Sequence, residues 1–570
     1  MNSNNTVACP LDCYDCCEAV YDEKGNCKGS KEHKVTNGKL CVNFANLLNE
    51  EYLVEAFVDK KGVPLQTALS ATVEKLKSSD PSKTLYYKGA GNLGVMQSAP
   101  KTFFANYGSV LTRGSLCDGA GAEGLEQGRG KVVNPPIENL VNADVIIVWG
   151  RNFSVTSPHM YNLVKDKTFI TIDPIVTSIA KQSKLHLQLN PKTDHELALL
   201  LTRFAYMEDA EDENFIEEYA EGADWFFDTA KGRPIVSYQN TTGVSLKDVT
   251  TFFEIIKDKK VALMIGVGVQ KYYEGAQITR TIDSFAGYIG IHNKEAGGVW
   301  YLDDSSYGYE NKFPVTAKKR VDVAELDFAS FDVVFIQGAN PVVSAPNTQR
   351  VIDGLKNSFV IFYGTTLNET SQYADIIIPS SDFLTKKDVR LSYGHELKAI
   401  SHAVKKAHAN TISEYDFTQY MNEAFSFESL EDEDVILSSY IECQVDKQES
   451  FIETLEFIED VEVDALYEGK QEDEYYLITA KRKESLNSQF SSDDKVYLHS
   501  QCGFNEGDEV KLCSSFGEAK FIVSLSDDVK SNSVLLFSGN KNGNYLTPYK
   551  SDEASSSAMF QEALVRIELS

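Results

Sequence analysis

Two stretches of the chain share one hydrophobic pattern. NADVIIVWGRNFSVTSP at 142–158 returns as SFDVVFIQGANPVVSAP at 330–346, so that Asp144, Val145, Gly150, Asn152, Val155 and Pro158 recur as Asp332, Val333, Gly338, Asn340, Val343 and Pro346. Each copy holds an unbroken apolar run of strand length, too short for a helix, that ends in Gly-x-Asn. Glycine there lets a ligand approach the backbone, and asparagine offers donors and acceptors together. A helix-like stretch follows each copy and leads to a second buried run, KTFITIDP in one and NSFVIFYG in the other. Strands alternating with helices predict parallel α/β sheets, whose ligands sit beyond the carboxyl ends of the strands. Asp173, after the second run of the first copy, is placed for a ribose hydroxyl or a guanine edge, whereas Gly364 takes the aligned position in the second.

Outside the repeat the pattern changes three times. TLYYKGAGNLG places Gly89, Gly91 and Gly94 in the order G-x-G-x-x-G after a strand, but no acid about 20 residues on ends a second strand, so the motif alone does not specify a dinucleotide site. From about 427 to 474 the chain is acidic with helical periodicity in places, which predicts a solvated helical connector. Past Tyr475 short alternating runs, YYLITAKR, KVYLHS, GDEVKLCSSFGEAKFIVSLS and SVLLFSG, predict a separate β-rich, barrel-like C-terminal domain.

A chain of 570 residues divides into several domains, and 42% hydrophobic with 24% charged residues is a globular composition. The net charge of −29, from 84 acids against 55 bases, repels nucleic-acid phosphates and anionic lipid headgroups. No run approaches the ~18 apolar residues of a membrane span, and the first residues lack a basic and an apolar leader region. Neither nucleic acid nor direct membrane insertion is expected, and the expected location is the cytoplasm.

In a reducing compartment clustered cysteines are metal-binding or catalytic more often than disulfide-bonded. Of ten cysteines, four fall within CPLDCYDCC at 9–17. Cys9, Cys13 and Cys17 with Cys41, which follows a stretch that reads as a β-hairpin, form a four-thiolate set. The spacing fits an iron-sulfur cluster better than the paired knuckles of a zinc site. Cys16 and Cys27 read as small buried hydrophobes. Cys117, in RGSLCDGAGAEG, stands among small residues at a helix entrance, where the helix dipole favours a thiolate. His159, His395 and His499 are isolated in sequence and read as structural.

Taken in order, these segments resemble the molybdenum or tungsten bis-pterin oxidoreductases, the family of formate dehydrogenases, nitrate reductases and dimethyl sulfoxide reductase. The likeness covers nearly the whole chain. It implies a multidomain α/β fold: an N-terminal iron-sulfur subdomain at 1–48, two pseudo-repeated Rossmann-like domains at 49–112 with 322–430 and at 113–321, an acidic connector at 431–474, and a C-terminal β-barrel of double-psi type at 475–570. It implies that Cys9, Cys13, Cys17 and Cys41 hold a 4Fe-4S cluster and that Cys117 ligates the metal. Gly150, Asn152, Asp173, Thr193 and Asp194 would hold one pterin guanine dinucleotide, and Gly338 and Asn340 the other. Asn487 and Asn544 would contribute from the barrel.

The implied activity is a two-electron oxygen-atom or hydride transfer on a small-molecule substrate, with electrons relayed through the cluster to an electron-carrier protein or redox subunit. Asp118 is the expected proton acceptor, with helix capping as its structural alternative. The chain departs from the family at four places. Asn43 stands where many members have a lysine between cluster and pterin, Asp118 where formate dehydrogenases have histidine, Gly364 where the second site commonly has an acid, and Thr385 where glutamate is frequent. A pterin-free electron-transfer subunit and a non-redox hydratase of the same family are the competing readings.

Overall fold

The computed structural model describes residues 5–22, 24–91, 93–445, 451–465, 470–490 and 493–569. Strand Val145–Trp149 is buried throughout; Val145, Ile147 and Trp149 enter one apolar cluster, Ile146 and Val148 another. Burial on both faces is why the run is apolar without alternation. It is the centre of five parallel strands in the order Leu185–Leu187, Thr168–Ile172, Val145–Trp149, Val261–Ile265, Gly298–Trp300. Helices Asp194–Met207 and Gly275–Tyr288 pack into the larger of the two clusters.

The second copy repeats this layout. In Val333–Gln337, Val333 and Phe335 face one cluster, Val334 and Ile336 the other. The strand lies inside an eight-stranded sheet in the order Lys319–Asp322, Val110–Arg113, Thr84–Lys88, Val333–Gln337, Phe359–Gly364, Ile376–Pro379, Ala56–Val58, Lys61–Val63. Its first six strands are parallel, and the last two form an antiparallel edge hairpin. Strands Val110–Arg113 and Lys319–Asp322 pair with each other across the expected divisions at 112/113 and 321/322, so both stay on this sheet.

The cysteine loop joins the first two strands of a small antiparallel sheet, Thr6–Ala8, Glu18–Tyr21 and Cys27–Gly29; the last two are the expected hairpin. The C-terminal unit is a closed six-stranded barrel, ordered Glu474–Ala480, Ser533–Phe537, Lys495–Leu498, Glu518–Leu525, Glu509–Cys513, Leu564–Leu569. Alternate residues, among them Leu477, Val496, Leu498, Val510, Leu512, Phe521 and Val523, fill its interior. Closure leaves no free sheet edge.

The acidic segment departs from a solvated helical connector. Helix Glu433–Glu442 forms as expected, but Leu455–Glu456 is a short strand paired with Ala220–Glu221. Ile452, Leu455, Phe457 and Ile458 are buried in the core of the five-stranded unit. The acids around them dominate the composition, yet these few apolar side chains decide where the segment lies. Residues 446–450 and 466–469 of that segment lie outside the described residues. Among the described residues no helix is long and apolar enough to cross a membrane.

Candidate functional site

The two copies of the repeat end in the same backbone junction. Gly150 and Gly338 follow their strands with φ of +62° and +53°, a conformation that glycine adopts without strain. Gly150 N–H donates to Ile172 O at 2.8 Å, and Gly338 N–H to Tyr363 O at 2.9 Å. Against each glycine lies a Gly-x-Gly turn from the neighbouring strand. Gly266 N–H donates to Trp149 O at 2.8 Å and Gly268 N–H to Gly150 O at 3.3 Å; in the second copy Gly89 N–H donates to Gln337 O at 3.0 Å and Gly91 N–H to Gly338 O at 3.1 Å. A Cβ on Gly266 would come within 2.2 Å of Gly150 O, and one on Gly91 within 2.4 Å of Gly338 O. The first two glycines of G-x-G-x-x-G thus belong to the duplicated junction, while Gly94 packs on the Asp388 carboxylate.

A cavity opens beyond each junction, about 450 Å³ over Gly150 and about 860 Å³ over Gly338. Both are walled on the far side by the barrel, and they share Asp12, Cys117, Lys271, Tyr393, Thr479, Lys481 and Asn487. Asn152, Asp173 and Asp194 line the first cavity; Asn340, Asn544, Gly364 and Asp118 line the second. Thr193 lines neither: it is buried behind Asp194, and its hydroxyl donates to Asn190 O at 2.7 Å.

The two halves differ in their polar groups. The Asp173 carboxylate accepts from Ile175 N–H at 3.0 Å and that of Asp194 from Trp149 Nε1–H at 2.7 Å. Burial pushes both carboxyls up to about 7, with the nearby Asp194 charge adding to the rise at Asp173. Arg151 is buried on the same cavity and gives Nη2–H to Ser157 Oγ at 2.6 Å, leaving Nη1 without a partner. In the second half Asn340 is already engaged: Nδ2–H donates to Glu369 at 2.9 Å, and Oδ1 accepts from the Thr370 hydroxyl at 2.8 Å. Asn544 donates to Val343 O at 2.6 Å.

Cys117 sits at the seam between the cavities, two residues before helix Gly119–Arg129. Ser115 Oγ accepts from Cys117 N–H at 2.9 Å and donates to Asp118 Oδ1 at 2.7 Å, so the Asp118 side chain does not cap the helix. Gln270 Nε2–H donates to Cys117 O at 2.5 Å. The helix entrance does not make a thiolate here. Burial, with Asp118 and Asp12 nearby, pushes the thiol up to about 12 against the pull of Lys481 and Lys271. Burial and the Lys481 charge press Lys271 down to about 8. Sequence reasoning singled out none of Asp12, Lys271 and Lys481 at the seam, nor Arg151 on the first cavity, although Asp12 lies inside the cysteine run and Arg151 between Gly150 and Asn152. Asp12 accepts from Tyr393 Oη–H at 2.9 Å, and Lys481 Nζ donates to Asn487 Oδ1.

Cys9, Cys13, Cys17 and Cys41 line the first cavity together. Burial raises Cys17 well above the usual thiol range, and the charges of Asp15, Cys9, Cys13 and Cys41 add to it. Arg390 fixes the loop by donating Nη1–H to Cys9 O at 2.7 Å and Nη2–H to Cys13 O. Cys16 also borders this cavity, but its thiol donates to Arg390 O, 3.5 Å away, beside Ala8 and Ala399. All ten cysteines are free. Two buried thiols, Cys9 and Cys17, and two half-buried ones, Cys13 and Cys41, form a soft-donor set of the size a metal cluster takes, and burial raises all four above the usual thiol range. Asn43 lies on the same wall with Oδ1 buried and unpartnered. His395 is structural, with Nδ1 accepting from Leu397 N–H and Nε2 donating to Asp15 O at 3.0 Å. His499 Nδ1 accepts from Gln501 N–H at 3.1 Å.

The profile of the molybdopterin oxidoreductase family matches residues 66–424, well over half of the chain. A probable oxidoreductase, YyaE of Bacillus subtilis (strain 168), is 24% identical over 434 residues, covering 69% of this chain and 64% of that protein. A nitrate reductase of Shewanella frigidimarina is 23% identical over 63% of this chain and 44% of its own length. The match therefore spans less than two thirds of either relative. Among solved structures, acetylene hydratase from Pelobacter acetylenicus superposes with a TM-score of 0.77 at 14% identity, covering 98% of this chain and 100% of that one, which is a likeness of fold. The chain belongs to the molybdopterin oxidoreductase family.

Proposed function

We propose that this chain is a redox enzyme that binds two pterin guanine dinucleotides on one molybdenum or tungsten and a 4Fe-4S cluster in the cysteine loop. The observation that carries this reading is the pair of cavities, built on two copies of one strand-glycine junction and joined at a single half-buried thiol, Cys117. When bound, the metal centre supplies the two-electron chemistry, by oxygen-atom or hydride transfer.

The protein's residues supply the rest. Asp173 and Asp194 are acceptors for the N–H edge of a guanine or for ribose hydroxyls, and Arg151 Nη1 is a free donor for an anionic ligand. Cys117 is the protein ligand to the metal, presented by Ser115 and Gln270. Lys271 and Lys481 face it and offset negative charge gathered there. Asp118, held by Ser115 on the wall of the second cavity, is the proton acceptor for the substrate. The cysteine loop would exchange electrons with a separate carrier protein or redox subunit; Cys41 is next to Val42, which is 49% exposed.

The test is metal and pterin analysis of protein purified without oxygen. About one molybdenum or tungsten, four irons and two pterins per chain support the reading. Iron alone, from a host able to make the pterin, points to an electron-transfer subunit. Turnover without any electron acceptor points to a hydratase.

A further inference from the structure

Beside the cysteine quartet lies a histidine that the cofactor sites do not use. His159 is 4% exposed and lines the first cavity. One of its imidazole nitrogens, the Cys17 Sγ and an Asp15 carboxylate oxygen all lie within 4.8 Å of one another. Asp15 is spent elsewhere: its carboxylate accepts from the backbone N–H of His159 at 2.9 Å and of Met160 at 3.1 Å. Those two bonds pin the start of segment Pro158–Val164 to the cysteine loop, which fixes where the imidazole stands. His159 Nε2 is buried with no hydrogen-bond partner. A buried polar nitrogen left unpaired destabilises the fold, which a role as apolar filler does not offset.

We propose that His159 tunes the cluster, its imidazole N–H donating to the Cys17 sulfur or the adjoining cluster edge. This inference rests on the cluster assignment above. Reduction adds a negative charge that spreads onto the sulfurs, and a hydrogen bond to sulfur stabilises the reduced form more than the oxidised one. His159 is a positioning and tuning residue, not a ligand in the quartet.

The experiment uses holoenzyme purified without oxygen, wild type beside His159→Ala and His159→Gln, with iron and acid-labile sulfide counted first. Redox titration followed by electron paramagnetic resonance is then expected to show the reduced-to-oxidised ratio at a fixed potential falling about tenfold in His159→Ala, with partial recovery in His159→Gln. With 15N-histidine labelling, the reduced wild-type cluster is expected to show a hyperfine-coupled imidazole nitrogen that His159→Ala lacks. An unchanged titration, or a wild-type cluster without that coupling, overturns the proposal and leaves the cluster reading standing. If His159→Ala assembles no cluster, the wild-type coupling alone decides. A wild-type protein without iron overturns both.

Discussion

Asn487 of the barrel donates its Nδ2–H to Asp12 Oδ2 of the cysteine loop at 2.8 Å, across 475 residues of chain. It is a charge-assisted bond at the seam where the two cavities meet, and it clamps the last domain onto the first. Asn487→Ala removes it and is expected to cost roughly 1.5–3 kcal/mol. Urea unfolding of the purified enzyme, followed by tryptophan fluorescence and by pterin release, should show earlier loss of pterin.

Cys117 is the sole thiol at the seam among the described residues. In Cys117→Ala we expect pterin and iron to be retained while activity with an artificial electron donor or acceptor falls by at least roughly a hundredfold, the upper end of what changing a residue behind a metal ligand costs. Metal, pterin and iron counts on the same sample separate a lost ligand from a lost fold.

Asp173 and Asp194 have carboxyls raised to about 7. A carboxyl raised on folding makes the folded state bind the extra proton, so its penalty is absent below the unfolded value near 4 and complete above the folded one near 7. Asp173→Asn should therefore leave the melting of cofactor-free protein unchanged near pH 4. Above pH 7 it should stabilise by up to roughly 4 kcal/mol, an upper bound because the two carboxyls are coupled. In a host that makes the pterin the same variant should lose guanine nucleotide. Thermal melts at pH 4.5 and 8 with nucleotide analysis check both arms.

One alanine substitution tests the junction, and a second, in a helix away from it, is its control. Gly91→Ala places a methyl 2.4 Å from a backbone oxygen that cannot move without opening the sheet, and should destabilise by about 1–3 kcal/mol. Gly128→Ala lies inside helix Gly119–Arg129 with its nearest neighbour at 3.5 Å, and should stabilise by about 0.5–1 kcal/mol. Chemical denaturation of both beside wild type settles the comparison.

The repeat was legible because its strands are covered on both faces, so that VIIVW and VVFIQ are unbroken apolar runs. Its partner turns were not. Gly89-Ala90-Gly91 and Gly266-Val267-Gly268 sit on opposite sides of their copies in sequence, one far before and one after, so no fixed period aligns them. Asp12, Lys271 and Lys481 escaped for a related reason: each comes from a different domain, and their nearness is a property of three-dimensional packing alone. Thr193 illustrates the reverse case, a residue in a recognisable stretch whose side chain faces away from the cavity. In the acidic segment, average charge hid the four apolar residues that anchor it.

The eight-stranded sheet closes around an inserted five-stranded one: Thr84 lies beside Val333, while every strand of the inner sheet falls between them in sequence. A ribosome delivers the inner sheet whole before the outer one can zip shut, and the barrel, whose strand Glu474–Ala480 pairs with the final strand Leu564–Leu569, comes last. Since that barrel walls both cavities, each gains this wall only after the barrel strands have been made. By mass action, anything bound between the barrel and the two sheets holds the barrel in its docked place.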